Sequence, residues 1–93
     1  MISTHVLDTR AGAPAVGVKV ELYRGDELLA ARETDADGRI RDLADVEPGR
    51  YRLVFHPPSP FFKRIDLELD LGEGNFHVPL LFSPFGCSVY RGS

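Results

Sequence analysis

The chain has a single cysteine, no excess of basic residues and no long apolar run, and each shortage removes a class of function. One cysteine, Cys87, excludes an internal disulfide and fits a reducing compartment, so a cytoplasmic protein is expected. Eleven Lys and Arg stand against 14 Asp and Glu, for a net charge of -3. Such a chain has few cations with which to displace counterions from a phosphate backbone, so nucleic acid is not an expected partner. No apolar stretch approaches the roughly 20 residues of a membrane-spanning helix, and no membrane role is expected. The start, MISTHVLDT, lacks a basic segment followed by an apolar one, so no secretory leader is expected. His5, His56, His77 and Cys87 fall at no short ligand spacing of the CxxC or HExxH kind. Asp35-Ala36-Asp37-Gly38 opens like a calcium loop, but Val46 stands where the bidentate acid belongs. Neither a metal nor another cofactor is expected. There is no GxSxG elbow, and Cys87 carries no nucleophile signature and is expected to be buried and inert.

What is present is alternation. In GVKVELYR, Val18, Val20 and Leu22 alternate with Lys19, Glu21 and Tyr23; RYRLVFH and RIDLELDL repeat the pattern. A period of two over this length marks half-buried strands, one face on a core and one in water. Gly12-Ala13-Pro14, Gly25-Asp26, Asp35 to Gly38, Pro48-Gly49, Pro57 to Pro60 and Gly72 to Gly74 read as turns or loops between them. About eight strands result, near 2–8, 17–24, 28–34, 39–43, 50–56, 64–71, 75–82 and 86–91, and they predict a mostly antiparallel β-sandwich in a single domain, 1–93. Asp42 to Glu47 has room for one short turn and no long helix is predicted. NFHVPLLF carries Pro79, which predicts an edge strand. Apolar side chains on both of its faces predict that another subunit covers it.

The histidines are the side chains suited to move protons near neutral pH. The ending, Tyr90-Arg91-Gly92-Ser93, stands out because termini are commonly frayed and polar, whereas this one is short, aromatic and charged. Gly92 weakens a strand and permits close backbone approach.

The segments STHVLDT, DADGR, GRYRLVF and FHVPLLFSPFGCSVYRGS resemble the 5-hydroxyisourate hydrolases, the transthyretin-related enzymes of urate breakdown, and the resemblance runs from Ile2 to Ser93. The YRGS ending separates the hydrolases from transthyretin, the thyroid-hormone carrier of the same fold. The resemblance implies an all-β, transthyretin-like antiparallel sandwich that assembles as a homotetramer, a dimer of dimers, with sites in a channel between dimers. It implies catalytic roles for His5, Arg39, His77 and Ser93, and substrate contacts from Val89, Tyr90, Arg91 and Gly92 in a tail that shapes the channel floor. It also implies a metal-free opening of 5-hydroxyisourate to 2-oxo-4-hydroxy-4-carboxy-5-ureidoimidazoline. In this scheme His5 activates water with Ser93 as its hydrogen-bond partner, Arg39 stabilises the oxyanion and His77 orients substrate or shares the proton traffic.

The chain departs from the family pattern in three places. The stretch HPPSPFFK replaces a longer segment that carries the fold's one short helix, and its Pro and Ser residues will not make one. Cys87 and Val89 stand where the usual SPYGYSTYRGS has tyrosine and threonine. The segment after DADGR, Arg41-Asp42-Leu43, is short and acidic. A non-catalytic transthyretin-fold module that binds a small ligand is the alternative reading. A structural sandwich of the carboxypeptidase-regulatory type is a third, but it accounts for neither STHVLDT nor YRGS.

Overall fold

The computed structural model describes residues 1–93 and contains nine strands and no helix. In chain order they are β1 (Ile2–Asp8), β2 (Ala13–Pro14), β3 (Lys19–Arg24), β4 (Glu27–Glu33), β5 (Arg39–Ala44), β6 (Gly49–His56), β7 (Ile65–Leu71), β8 (Phe76–Phe82) and β9 (Cys87–Val89). One sheet runs β4-β3-β6-β7, antiparallel throughout. In the other, β1 pairs with β8 on one side and with β5 and β2 on the other, and β9 forms the far edge beyond β8.

Alternation decides which side chains lie between the sheets. Ile2, Thr4 and Val6 of β1 are buried, while Ser3, His5 and Leu7 face outward. Val20 and Leu22, Leu53 and Phe55, and Leu80 meet them from the other strands in one core. Two buried threonines have their hydroxyls satisfied: Thr4 Oγ1 donates to Val78 O at 2.6 Å, and Thr34 Oγ1 donates to Ala15 O at 2.7 Å. Removing either partner would leave a buried polar atom unpaired, at a cost of about 1–3 kcal/mol.

Three expectations are corrected. The proline-bearing strand, β8, is interior: it lies between β1 and β9. Its even-numbered backbone groups face β1, as in Phe76 N–H to Met1 O at 2.9 Å, and its odd-numbered ones face the tail, as in Gly92 N–H to His77 O at 2.7 Å. The missing N–H of Pro79 therefore interrupts only the ladder toward the C-terminus, which breaks after Val89 and resumes at Gly92. The β1–β8 pairing is the one parallel pair in a sandwich that is otherwise antiparallel, as expected. Gly12-Ala13-Pro14 holds a two-residue strand pairing with Leu7 and Asp8 rather than a plain turn. Cys87 is exposed, since β9 is a short edge strand with no neighbour beyond it.

The segment after β6 stays irregular. Ser59 Oγ accepts from the N–H groups of Phe61 and Phe62 and donates to Pro84 O at 2.9 Å. These bonds tie the shortened loop to the β8–β9 turn, away from the outward face of β1.

Candidate active site

The outward face of the β1–β8 sheet carries the candidate side chains. β1 supplies Ser3 and His5, β5 supplies Arg39 and β8 supplies His77. The register sets their spacing: Ser3 stands beside His77 in the parallel pair, and His5 stands opposite Arg39 in the antiparallel one.

Arg39 is aimed by the turn that precedes it. Asp35 Oδ1 accepts from the backbone N–H groups of Asp37 and Arg39, each at 2.9 Å, and Gly38 N–H donates to Asp35 O at 2.9 Å. The bond from the Arg39 N–H first, and that from Asp37 after it, hold the Asp35 carboxyl below the usual carboxylate range. Gly38 has φ +73°, and a Cβ there would lie 2.6 Å from Val6 O and 2.9 Å from Pro14 Cβ. Only glycine fits between this turn and β1.

The turn also fixes His5. Its Nε2 lies 3.0 Å from Asp37 O. A carbonyl oxygen only accepts, so Nε2 carries the proton, and in the neutral ring Nδ1 holds the lone pair. The hydrogen bond expected between His5 and Ser93 is thus made to the Asp37 carbonyl instead.

His77 is half-buried, with its Nδ1 2.8 Å from Ser3 Oγ. Its pKa is lowered from the ordinary 6.5, first by burial and then by the charges of Arg39 and His5. These influences favour its neutral form.

The chain end closes the arrangement. Gly92 bridges to His77, and a Cβ on Gly92 would lie 2.6 Å from His77 Cδ2. Arg91 lies over the Phe76 ring, its Cζ 4.4 Å from the centroid, and its Nη2 donates to Asn75 O at 3.4 Å. Cation–π contact and hydrogen bond together hold the guanidinium at the cleft wall. Arg39, His77, Tyr90, Arg91, Gly92 and Ser93 line one open cleft of about 870 Å³, with Ser3 and Asn75 completing it.

The sequence-based set is therefore gathered in the cleft lining except for Val89 and His5. Val89 lies opposite Leu80 and packs on the core side of the sheet, so within this subunit it does not reach the cleft. His5 shares the cleft's face and stands beside Arg39 rather than in the lining itself. Ser3 and Asn75 were not singled out from the sequence. Alternation in STH puts Ser3 on the same face as His5 and was the available signal; nothing local marks Asn75.

Fold and cleft together define a transthyretin-type β-sandwich with a histidine- and arginine-bearing site on one sheet face. The chain belongs to the HIUase/Transthyretin family, whose model matches residues 2–92. A relative from Rhizobium meliloti, 5-hydroxyisourate hydrolase 2, is 39% identical over 114 aligned positions that cover 99% of this chain and 95% of the relative. Those positions outnumber the 93 residues here, so the relative carries segments that this chain lacks. The solved structure of Klebsiella pneumoniae 5-hydroxyisourate hydrolase superposes with a TM-score of 0.90 at 41% identity, covering 99% of this chain and 97% of that one. Sea bream transthyretin in complex with thyroxine gives a TM-score of 0.86 at 25% identity, covering 98% and 93%.

Proposed function

We propose that this chain is a hydrolase of 5-hydroxyisourate, acting in urate breakdown. The observation that carries this reading is the convergence of His5, Arg39, His77 and the YRGS tail on one sheet face around one cleft. The reaction adds water to a ring amide carbonyl. The amide C–N bond breaks, the carbonyl carbon becomes a carboxylate and the nitrogen leaves as part of a ureido group.

Each step has a suited group. His5 Nδ1, with its lone pair, takes a proton from the attacking water and returns it to the ring nitrogen as the C–N bond breaks. The Arg39 guanidinium stays charged throughout and stabilises the oxyanion of the tetrahedral intermediate. His77 hydrogen-bonds the substrate near the reacting carbonyl. Tyr90, Arg91, Gly92 and Ser93 shape the cleft, and Ser93 brings a hydroxyl into it. The steps draw on side chains and water alone.

One of the eight lining residues is hydrophobic. Such a lining suits a polar, oxidised purine better than an apolar aromatic cargo, which weighs against a carrier role. The direct test is the decay of ultraviolet absorbance of 5-hydroxyisourate generated in place by urate oxidase. Faster decay that disappears in His5→Ala and His77→Ala supports the hydrolase. Unchanged decay with folded protein returns the choice to the ligand-binding module.

We also propose that residues 1–93 act as one domain, in the cytoplasm, where an exposed lone thiol such as Cys87 stays reduced. The working assembly is a homotetramer, a dimer of dimers. Two features support it: the cleft is wide open in one subunit, and an apolar groove lined by Leu67, Leu69, Leu71, Val78 and Val89 lies at the open side of the sandwich. Specific activity should fall on dilution below the dissociation constant. Constant activity in a demonstrated monomer would remove the channel from the mechanism.

A further inference from the structure

Ser3 has no part in the chemistry above, yet it is the hydrogen-bond partner of one of its histidines. The parallel register places Ser3 directly beside His77, and its Oγ lies 2.8 Å from Nδ1. We propose that Ser3 is a positioning residue: its hydroxyl donates to His77 Nδ1 and so keeps the ring proton on Nε2, where His77 serves as a hydrogen-bond donor. The catalytic consequence rests on the hydrolase reading; the tautomer itself does not.

A neutral imidazole has one donor and one acceptor nitrogen. If Nδ1 held the proton, Ser3 would accept it and the hydroxyl's own proton would be left without a protein acceptor, since the Ser3 hydroxyl makes no second hydrogen bond. With the hydroxyl as donor, its proton is used in the contact and the ring keeps its own N–H on the nitrogen away from Ser3, free to serve a substrate in the cleft that His77 lines. The neutral state that this requires agrees with the burial of the ring and with the positive charge of Arg39 nearby. The Gly92 backbone runs beside the ring, so close that a Cβ there would lie 2.6 Å from Cδ2.

His5 is set the opposite way. The Asp37 carbonyl holds its proton on Nε2 and leaves the lone pair on Nδ1. One histidine thus presents a lone pair and the other an N–H, which divides the labour of amide hydrolysis between them. His5 accepts the proton of water, while His77 Nε2–H joins Arg39 in stabilising the oxyanion.

The tautomer is read by nitrogen-15 NMR of the histidine rings, with His77 assigned by its loss in His77→Gln. At a pH above its titration, wild-type His77 is expected to show an imine-type Nδ1 and a protonated Nε2. Folded Ser3→Ala should show a mixture of tautomers and a kcat lower by about threefold to tenfold, with KM little changed. Ser3→Thr keeps the hydroxyl and should restore both. A protonated Nδ1 in the wild-type protein overturns the inference, and so does an unchanged tautomer or unchanged kcat in Ser3→Ala. Should Ser3→Ala fail to fold, the wild-type spectrum and Ser3→Thr still decide the matter. The expected tautomer in a protein without turnover would uphold the role of Ser3 and sink the hydrolase reading, so the two fail separately.

Discussion

Gly92 faces His77 across an antiparallel bridge so closely that a single methyl group would not fit between them. The Gly92 N–H donates to His77 O at 2.7 Å, and a Cβ on Gly92 would lie 2.6 Å from His77 Cδ2. The chain end therefore acts on the site through a shape constraint as well as through its own polar groups. Gly92→Ala must displace the His77 ring or the tail. A shift on the order of 1 Å at a reacting group can cost about 100-fold in rate. We expect kcat to fall by roughly that factor, with a melting temperature close to wild type because the bridge carries little core. Full activity in Gly92→Ala would show that the ring has slack.

Deletion of Ser93 separates a working tail from a strand end. The residue is exposed, lines the cleft and belongs to no strand. Turnover should drop sharply while the unfolding midpoint stays put. Equal activity in the shortened chain would reduce the tail to β9 and the Gly92 bridge.

Gly38 tests the turn that aims Arg39. Alanine there must take a left-handed backbone and place its Cβ against Val6 O and Pro14 Cβ. The backbone strain alone costs about 1–2 kcal/mol, and the steric conflict adds to it. Gly38→Ala should lose roughly 2–3 kcal/mol in chemical denaturation. It should lose activity even where folded, because His5 and Arg39 both hang on this turn. A stability within 0.5 kcal/mol of wild type, the usual scatter of a neutral surface change, would contradict the packing described.

The pH dependence has a defined sign. Burial, Arg39 and His5 all lower the pKa of His77 from 6.5. The folded protein binds this proton less readily than the unfolded chain, so His77 contributes stability that is present above 6.5 and lost as pH falls below it. The His77 ring, followed by NMR, should titrate below the pH of an ordinary histidine. Arg39→Gln removes one of the charges and should move the His77 titration upward when followed by NMR. A downward or absent movement would mean that the guanidinium does not act on the ring.

The balance of what could be read in advance follows from range. Local patterns carried the strands: alternation in KVELYR, RYRLVFH and IDLELDL places β3, β6 and β7 within a residue or two of their observed limits. The family motifs carried His5, Arg39, His77 and the tail. The failures were relations between distant segments. Pro79 read as an edge marker because the direction in which its absent N–H would point depends on which neighbour lies on which side. Val89 read as a cleft residue by analogy, but its register against Leu80 turns it inward. Ser3 was visible as a face-mate of His5, yet its partner lies 74 positions away in sequence, where no local pattern reaches.

The last prediction concerns the opposite sheet, where Glu21 is buried beneath a small polar network. His56 Nε2 meets one carboxylate oxygen of Glu21, the Tyr23 hydroxyl donates to the other at 3.1 Å, and Lys19 Nζ lies 3.6 Å away. The bond to His56 is the largest cause of a Glu21 pKa below the ordinary 4.5. A lowered carboxylate pKa contributes stability above 4.5 that is lost as pH falls through the folded-state value. His56→Ala leaves one oxygen of a buried carboxylate unpaired, so it should destabilise the fold by about 1 kcal/mol near neutral pH. The deficit should shrink below about pH 4, where Glu21 takes up a proton in the variant and in the unfolded chain alike. Activity should be untouched, because the network faces away from the cleft across the whole thickness of the sandwich. A variant with wild-type stability at neutral pH would show that Tyr23, Lys19 and water satisfy Glu21 without the imidazole.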